Sequence, residues 1–462
     1  MLLKRLFAII LLAGTLFSCK DKTVDPASDS QTNDWILSNM KYWYYWNESI
    51  PASPDKSLKP AAFFSSLLNK YNATNNPNGD RFSWIQESAD ELQQSLNGKS
   101  TTTGMDFKLV VYPSGSTNII GVVLYTLPNS PAARAGFKRG DVFTHINEQK
   151  LTNTNYNALL KAEGPLTFTV GTIDDAGVVT EGTVKKQVTQ LSLQEDPIHF
   201  DTLYQYGSNK IGYIVYHQFV PGPDSISGSK AYDQKLEGIF ARFKTENVNS
   251  LILDLRYNGG GYVSSATSLA SLIGKVTAND VFYHKEYNKT VTPTLEKQYG
   301  ASFFFEKFQV KSQNIGSNLT NLVILTSKNS ASASELLING LKPFMNVILV
   351  GDVTYGKNVG SITITGKDKG IKWGMQPIVT KSFNSLKQSD YSTGFVPTAS
   401  VTEGIKLYAY GNVKDPLLNK ALSLITGSPV SRQSAARVYM NYEEIGSSTS
   451  SKAGGSNMFF DN

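Results

Sequence analysis

Apolar residues along this chain keep different rhythms, and the changes of rhythm divide it. From 35 to about 94 they recur at three- and four-residue intervals, as in Trp35, Ile36, Met40, Trp43 and Tyr44 and then Phe63, Phe64, Leu67 and Leu68. That is the spacing of one helix face, and it predicts a small helical domain over 34–100 with the aromatic stripe as its core. Over 101–184 the pattern turns to short alternating strands, such as Val122-Val123-Leu124-Tyr125, around one helix that Pro131 opens and Gly136 closes. From 198 to 426 strand-like and helix-like runs alternate, the mark of an α/β domain. Strands are expected over 211–216, 250–256, 321–326 and 347–350, with helices over 263–273 and 332–341. Two stretches have no rhythm. Residues 19–33 are polar and read as a flexible tether, and 427–462, rich in Ser, Gly and Asn, read as a disordered tail whose only apolar knot is Val438-Tyr439-Met440.

The first 18 residues change the picture by fixing a compartment. Lys4 and Arg5 precede an apolar stretch from Leu6 to Leu12, the form of a secretory signal peptide. Leu16-Phe17-Ser18-Cys19 resembles a bacterial lipobox, in which the cysteine is lipidated and becomes the first residue. Cys19 is the only cysteine of 462 residues, so no disulfide explains it. The resemblance implies a lipid anchor on Cys19 and a cell-envelope location; Lys20 is compatible with the outer membrane, facing the periplasm or the cell surface. No later apolar run reaches the roughly 20 residues of a membrane helix. Net charge is +6, part of it in the leader, with no basic block and no interleaving of basic and aromatic residues. That argues against a nucleic-acid partner.

The middle segment Asn129-Ser130-Pro131-Ala132-Ala133-Arg134-Ala135-Gly136, followed by Gly140-Asp141 and Ile146-Asn147, resembles a PDZ domain. Such a domain takes an extended peptide as an added strand beside a loop that caps its carboxylate. The matching loop is Gly104-Met105-Asp106-Phe107, and a charged Asp106 pointing inward would oppose an anionic chain end.

Two turns in the α/β segment fall where strands meet helices, the usual ligand position in such sheets: Asn258-Gly259-Gly260-Gly261 and Ser330-Ala331-Ser332-Ala333-Ser334-Glu335. Ser332 and Glu335 have the spacing of a capping box. The same turn suits acyl transfer, because a helix-start amide such as that of Ala333 points at developing negative charge and glycines admit a second amide. A serine nucleophile needs a base. The four histidines, His145, His199, His217 and His284, are not on turns paired with acids. A lysine in a dry site can serve instead, its amine kept neutral. Lys342 lies roughly 15 Å along the helix and Lys328 in a polar turn, which leaves Lys357, beside Gly356, to fold back over the serine.

The set Asp254-Leu255-Arg256-Tyr257-Asn258-Gly259-Gly260-Gly261, Ser330 to Glu335 and Thr354-Tyr355-Gly356-Lys357 resembles the carboxyl-terminal processing peptidases. Asp80-Arg81-Phe82-Ser83 and the run from Asp415 to Leu422 are similar to that family's pre-PDZ segment and closing helix. The resemblance implies a multidomain α/β fold: a crotonase-like peptidase core, an inserted or preceding PDZ domain, mostly β, and a small helical N-terminal domain. It also implies a Ser332/Lys357 dyad that cleaves polypeptides near their C-termini, with oxyanion amides from Ala333 and Gly260 or Gly261. Glu335, Ser361 and Thr354 would support the site, and no metal or organic cofactor is called for. Where many relatives place a lysine-orienting glutamine this chain has Ser361, and Pro343 stands where some have an aspartate on the helix after the serine. The alternative is an inactive member that acts as a peptide-binding scaffold or a carrier of small apolar ligands.

Overall fold

The computed structural model describes residues 25–223, 228–428, 442–448 and 458–459. The leader, Cys19 and the Val438-Tyr439-Met440 knot lie outside them. The centre is a six-stranded sheet in the order Ile198–Tyr206, Asn209–Tyr216, Ser250–Asp254, Asn321–Thr326, Val347–Gly351 and Ala399–Ser400. The first pair is antiparallel and the rest are parallel. Successive side chains of a strand point to opposite faces. Leu251, Leu253, Leu322 and Ile324 therefore join a core with helices Ala231–Thr245, Val263–Ile273 and Ala333–Leu341. Ile252, Val323 and Leu325 meet Leu417, Leu418 and Leu422 of helix Pro416–Thr426 on the other side. The strand expected over 250–256 stops at Asp254, because Arg256 turns back to donate to its carboxylate, Nε to Oδ1 at 3.0 Å.

The N-terminal segment departs from expectation twice. Its first helix, Asp29–Trp43, starts inside the stretch read as a tether. Ser28 caps it: Ser28 N–H donates to Gln31 Oε1 at 2.8 Å and Gln31 N–H to Ser28 Oγ at 3.3 Å. The domain is also not purely helical and does not close its own core. Trp84–Gln86 is a strand on Ile371–Gln376, and Trp35, Ile36, Met40, Tyr44, Phe63 and Phe64 pack with Ile371 and Met375.

The PDZ-like sheet contains Met105–Val111, Ile119–Thr126, Val142–Ile146, Leu166–Ile173 and Val179–Val188, flanked by helices Pro131–Arg134 and Tyr156–Leu160. Its last strand passes the expected boundary at 184, since Val188 is the register partner of Leu166. The chain enters and leaves through a two-stranded stem, Lys99–Thr102 against Leu191–Gln194. The module is docked on the α/β core by Arg139, which donates to Glu403 Oε1 at 2.7 Å, Tyr257 Oη at 2.9 Å and Tyr408 O at 2.8 Å. Arg256 joins the same cluster, donating to Glu403 Oε1 at 2.8 Å and Asp415 Oδ2 at 2.9 Å.

The stretch 427–462, expected to be disordered, holds two short strands. Glu444–Ser447 pairs antiparallel with the edge of Met105–Val111. Met458–Phe459 lies between Gly261–Tyr262 and Val359–Ser361, parallel to both. Strands added to an edge are held largely by main-chain hydrogen bonds, so little apolar patterning announces them.

Candidate active site

The serine turn follows strand Asn321–Thr326 and opens helix Ala333–Leu341. Ser330 Oγ donates to Leu255 O at 2.7 Å and Ser334 Oγ to Asn258 O at 2.9 Å, while Ala331 N–H reaches Asn258 O at 3.1 Å. These bonds fasten the turn to the glycine segment that follows Asp254. Between them Ser332 is held at φ 64°, ψ −113°, a left-handed conformation that costs a non-glycine residue about 1–3 kcal/mol. Its hydroxyl is buried and has no hydrogen-bond partner among the described residues.

Glu335 is the node of the site. Its carboxylate accepts Ser332 N–H and Lys357 N–H on Oε2, both at 2.8 Å, so those two nitrogens lie no further than twice that distance apart. Oε1 accepts Gly356 N–H at 2.7 Å and Thr354 Oγ1 at 2.6 Å. Thr354 Oγ1 in turn accepts Phe395 N–H at 2.7 Å. Sequence spacing made Glu335 a helix cap; it keeps that role by accepting Ser332 N–H and is also the clamp that joins the serine turn to the lysine loop. Burial pushes its pKa up, against the four donors that favour the carboxylate.

Lys357 is fully buried. Desolvation brings its pKa down from 10.5 to about 7, against the charges of Asp80 and Glu335, which favour the ammonium. Its Nζ stands 5.1 Å from the centre of the Phe82 ring. The segment Asp80-Arg81-Phe82-Ser83 thus walls the site from the N-terminal side. Asp80 is fixed by Phe82 N–H at 2.8 Å and Tyr44 Oη at 2.8 Å, and Arg81 Nη2 donates to Gly356 O at 3.0 Å and Ser392 O at 2.9 Å. Sequence reasoning noted this segment only as a family likeness, and no local signal placed it over the lysine.

The other expected residues divide. Gly260 N–H is committed to Asn258 Oδ1 at 2.9 Å. Gly261, at φ 137°, admits no Cβ, which would lie 2.1 Å from Phe219 O. Ala333 is the first helical residue, and a first-turn amide has no intrahelical acceptor. Ser361 Oγ lies 2.6 Å from Gln376 Oε1 and 3.1 Å from Met458 O, so a buried glutamine does reach this corner, but from strand Ile371–Gln376. Pro343 sits past the end of the serine helix.

Gly104, at φ 77°, precedes the PDZ-like edge strand that contains Met105, Asp106 and Phe107. A cavity of about 580 Å³ opens there, lined by Met105, Phe107, Tyr156 and Leu160. Asp106 is buried and accepts a hydrogen bond from Ser448 Oγ at 2.7 Å, so its partner is a hydroxyl rather than a carboxylate. Among the described residues, no three His, Cys, Asp or Glu gather in a way that could hold a metal ion.

Family profiles match three stretches of the chain: the peptidase S41 N-terminal domain at 31–84, a PDZ domain at 122–170 and peptidase family S41 at 210–401. A carboxyl-terminal-processing protease of Picosynechococcus is 26% identical over 340 residues, covering 72% of each chain. The chloroplastic carboxyl-terminal-processing peptidase 2 of Arabidopsis thaliana is 28% identical, and the match spans 58% of this chain but only 47% of that one. A crystal structure of a Bacteroides fragilis protein assigned to the S41 proteases superposes with a TM-score of 0.68 at 28% identity, over 85% of this chain and 97% of the other.

Proposed function

We propose that the chain, which matches peptidase family S41, that family's N-terminal domain and a PDZ domain, is a serine endopeptidase whose nucleophile is Ser332 and whose base is Lys357. One observation carries the reading: of three neighbouring serines only Ser332 keeps its hydroxyl uncommitted, and Glu335 ties its backbone to that of a buried lysine with a pKa of about 7. A neutral amine accepts the Ser332 proton as Oγ attacks the peptide carbonyl. The oxyanion is met by the amides of Ala333 and Gly261, Gly260 being already bonded to Asn258. The ammonium returns its proton to the departing amine, and a water activated by Lys357 then hydrolyses the acyl-enzyme. The substrate is an extended polypeptide, cut near its C-terminus, a preference supported by the naming of the curated relatives for carboxyl-terminal processing.

Cleavage of an unfolded reporter protein tests the dyad. Ser332→Ala and Lys357→Ala are expected to lose about 10³-fold or more in kcat/KM. Equal cleavage by all three chains discards the dyad, and reporter binding without cleavage by the unsubstituted chain favours the scaffold reading. The place of action is the cell envelope, through a lipid on Cys19, a reading supported by Leu16-Phe17-Ser18-Cys19. Fractionation checks it: the unsubstituted chain should partition with membranes and Cys19→Ala should not, and equal recovery with membranes would remove the anchor.

A further inference from the structure

Of the two tail strands, one pairs with the edge of the PDZ-like sheet and the other lies between the glycine and lysine segments of the candidate site. On the PDZ-like side, Glu444 pairs with Val110, Gly446 with Leu109 and Ser447 with Lys108, and Val111 N–H donates to Glu443 O at 2.9 Å. Ile445, partly buried, packs against the module's core. Ser448 closes the run: its Oγ accepts Phe107 N–H at 2.8 Å and donates to Asp106. These are the contacts of a peptide bound by strand addition, main-chain pairing with one apolar side chain in a groove. The approach is pinned by Tyr442, whose Oη accepts Lys108 Nζ at 3.0 Å, and by Glu444, 3.0 Å from Lys328 Nζ on the serine turn.

On the peptidase side, Met458 pairs with Gly261, the oxyanion glycine proposed above. Phe459 is the register partner of Ser361, at the end of the strand that leaves Lys357. Met458 is fully buried in the main core, with its sulfur 3.5 Å from Ser382 Oγ and its carbonyl oxygen facing Ser361 Oγ. One short strand therefore bridges the glycine and lysine halves of the site. The nine residues 449–457 that join the two occupied surfaces include five Ser, Thr or Asn and two Gly.

We propose that strands Glu444–Ser447 and Met458–Phe459 are tethered ligands of the enzyme's own substrate surfaces, so that the chain competes with its substrate until they are displaced. The proposal rests on the peptidase reading above and adds to it the occupant: an extended strand with an aliphatic side chain for the PDZ-like groove and an unbranched thioether for the buried pocket. A ligand joined to its receptor by a short linker acts at an effective concentration of about millimolar, enough to mask both surfaces from dilute substrate.

The test uses the full chain with Ile445→Asp and Met458→Asp combined, and a fluorescein-labelled synthetic peptide of residues 442–462 as probe. In a Ser332→Ala background the peptide should bind the substituted chain at least about tenfold more tightly than the parent; equal affinity overturns the proposal. With Ser332 present, the same substitutions should lower KM for the unfolded reporter by a similar factor, whereas an unchanged KM overturns the proposal. Should no chain cleave the reporter, the peptidase reading falls while the binding comparison still decides the tail. Because Met458 is a core residue, hydrogen exchange on the parent chain supplies a measurement free of substitution. Amides of Glu444–Ser447 and Met458–Phe459 should be protected, and exchange at the rate of an unstructured peptide overturns the proposal.

Discussion

Three serines stand within one short turn, and hydrogen bonding separates their roles. Ser330 and Ser334 fasten the turn to Leu255 and Asn258, and the Ser332 hydroxyl is left without a partner among the described residues. In the proposed dyad, Lys357 would set the pH at which Ser332 reacts. With its pKa brought by burial to about 7, the neutral fraction grows as pH rises. The logarithm of kcat/KM should therefore climb with unit slope below about pH 7 and level above it, read from a pH–rate profile of reporter cleavage. A profile without that inflection counts against Lys357 as base. The stability sign is opposite to that of a salt bridge. The folded pKa lies below the unfolded value, so the unfolded chain holds the extra proton between about 7 and 10.5, and stability rises with pH through that window. Lys357→Met should thus abolish activity yet raise the thermal midpoint at pH 7. The sequence marked Ser332 and Lys357 as candidates through turn chemistry and the family resemblance, and the structure ties their backbones together through Glu335. The second role of Glu335 was not legible in the sequence, because S-x-x-E fits a cap equally well and the partners at Thr354, Gly356 and Lys357 are brought in by tertiary structure.

Elements with a strong period were the easiest to read: the alternating core strands and the helices after Gly261 and Ser332 sit where apolar spacing put them. What escaped were elements whose stability comes from outside themselves. Helix Asp29–Trp43 starts in a polar run because a cap, not an apolar face, sets its first turn. Strand Glu444–Ser447 has no alternation because its neighbour supplies the hydrogen bonds. The Asp80-Arg81-Phe82-Ser83 segment acts across elements in the same way. Arg81 Nη2 gathers carbonyls of Tyr355, Gly356 and Ser392, so it holds the lysine loop shut against the Phe82 wall. Arg81→Ala should admit water to Lys357 and move the pH–rate midpoint upward, with kcat falling about 10- to 100-fold. Arg81→Lys should rescue little, since an ammonium lacks the guanidinium fork. An unchanged midpoint in Arg81→Ala would show that the loop closes without it.

Across the whole molecule, the join between the PDZ-like module and the core is ionic and buried. Arg139 and Arg256 share Glu403, with Asp254 and Asp415 beside them. Burial alone would raise the Glu403 pKa, but Arg139 and Arg256 outweigh it and hold the carboxyl well below its usual range. Its contribution is therefore present above about pH 4.5 and is lost as pH falls further. Arg139→Ala leaves Glu403 short of a partner and should cost about 3–5 kcal/mol in urea unfolding near neutral pH, with the difference shrinking in acid. An equal difference at both pH values would place the loss in packing instead. Arg139 was visible in the sequence only as part of a PDZ-like turn, because its partners lie far along the chain in the peptidase segment. The N-terminal core has the same long reach. Trp35, Met40 and Phe63 wait for Ile371 and Met375, which emerge about three hundred residues later, and contacts so distant in the chain form late. On the proposed route of export, this apolar surface leaves the translocation pore early and stays uncovered until residues 371–375 follow. A newly secreted copy must then be shielded by a holding chaperone, or stay sticky, until most of its length has crossed.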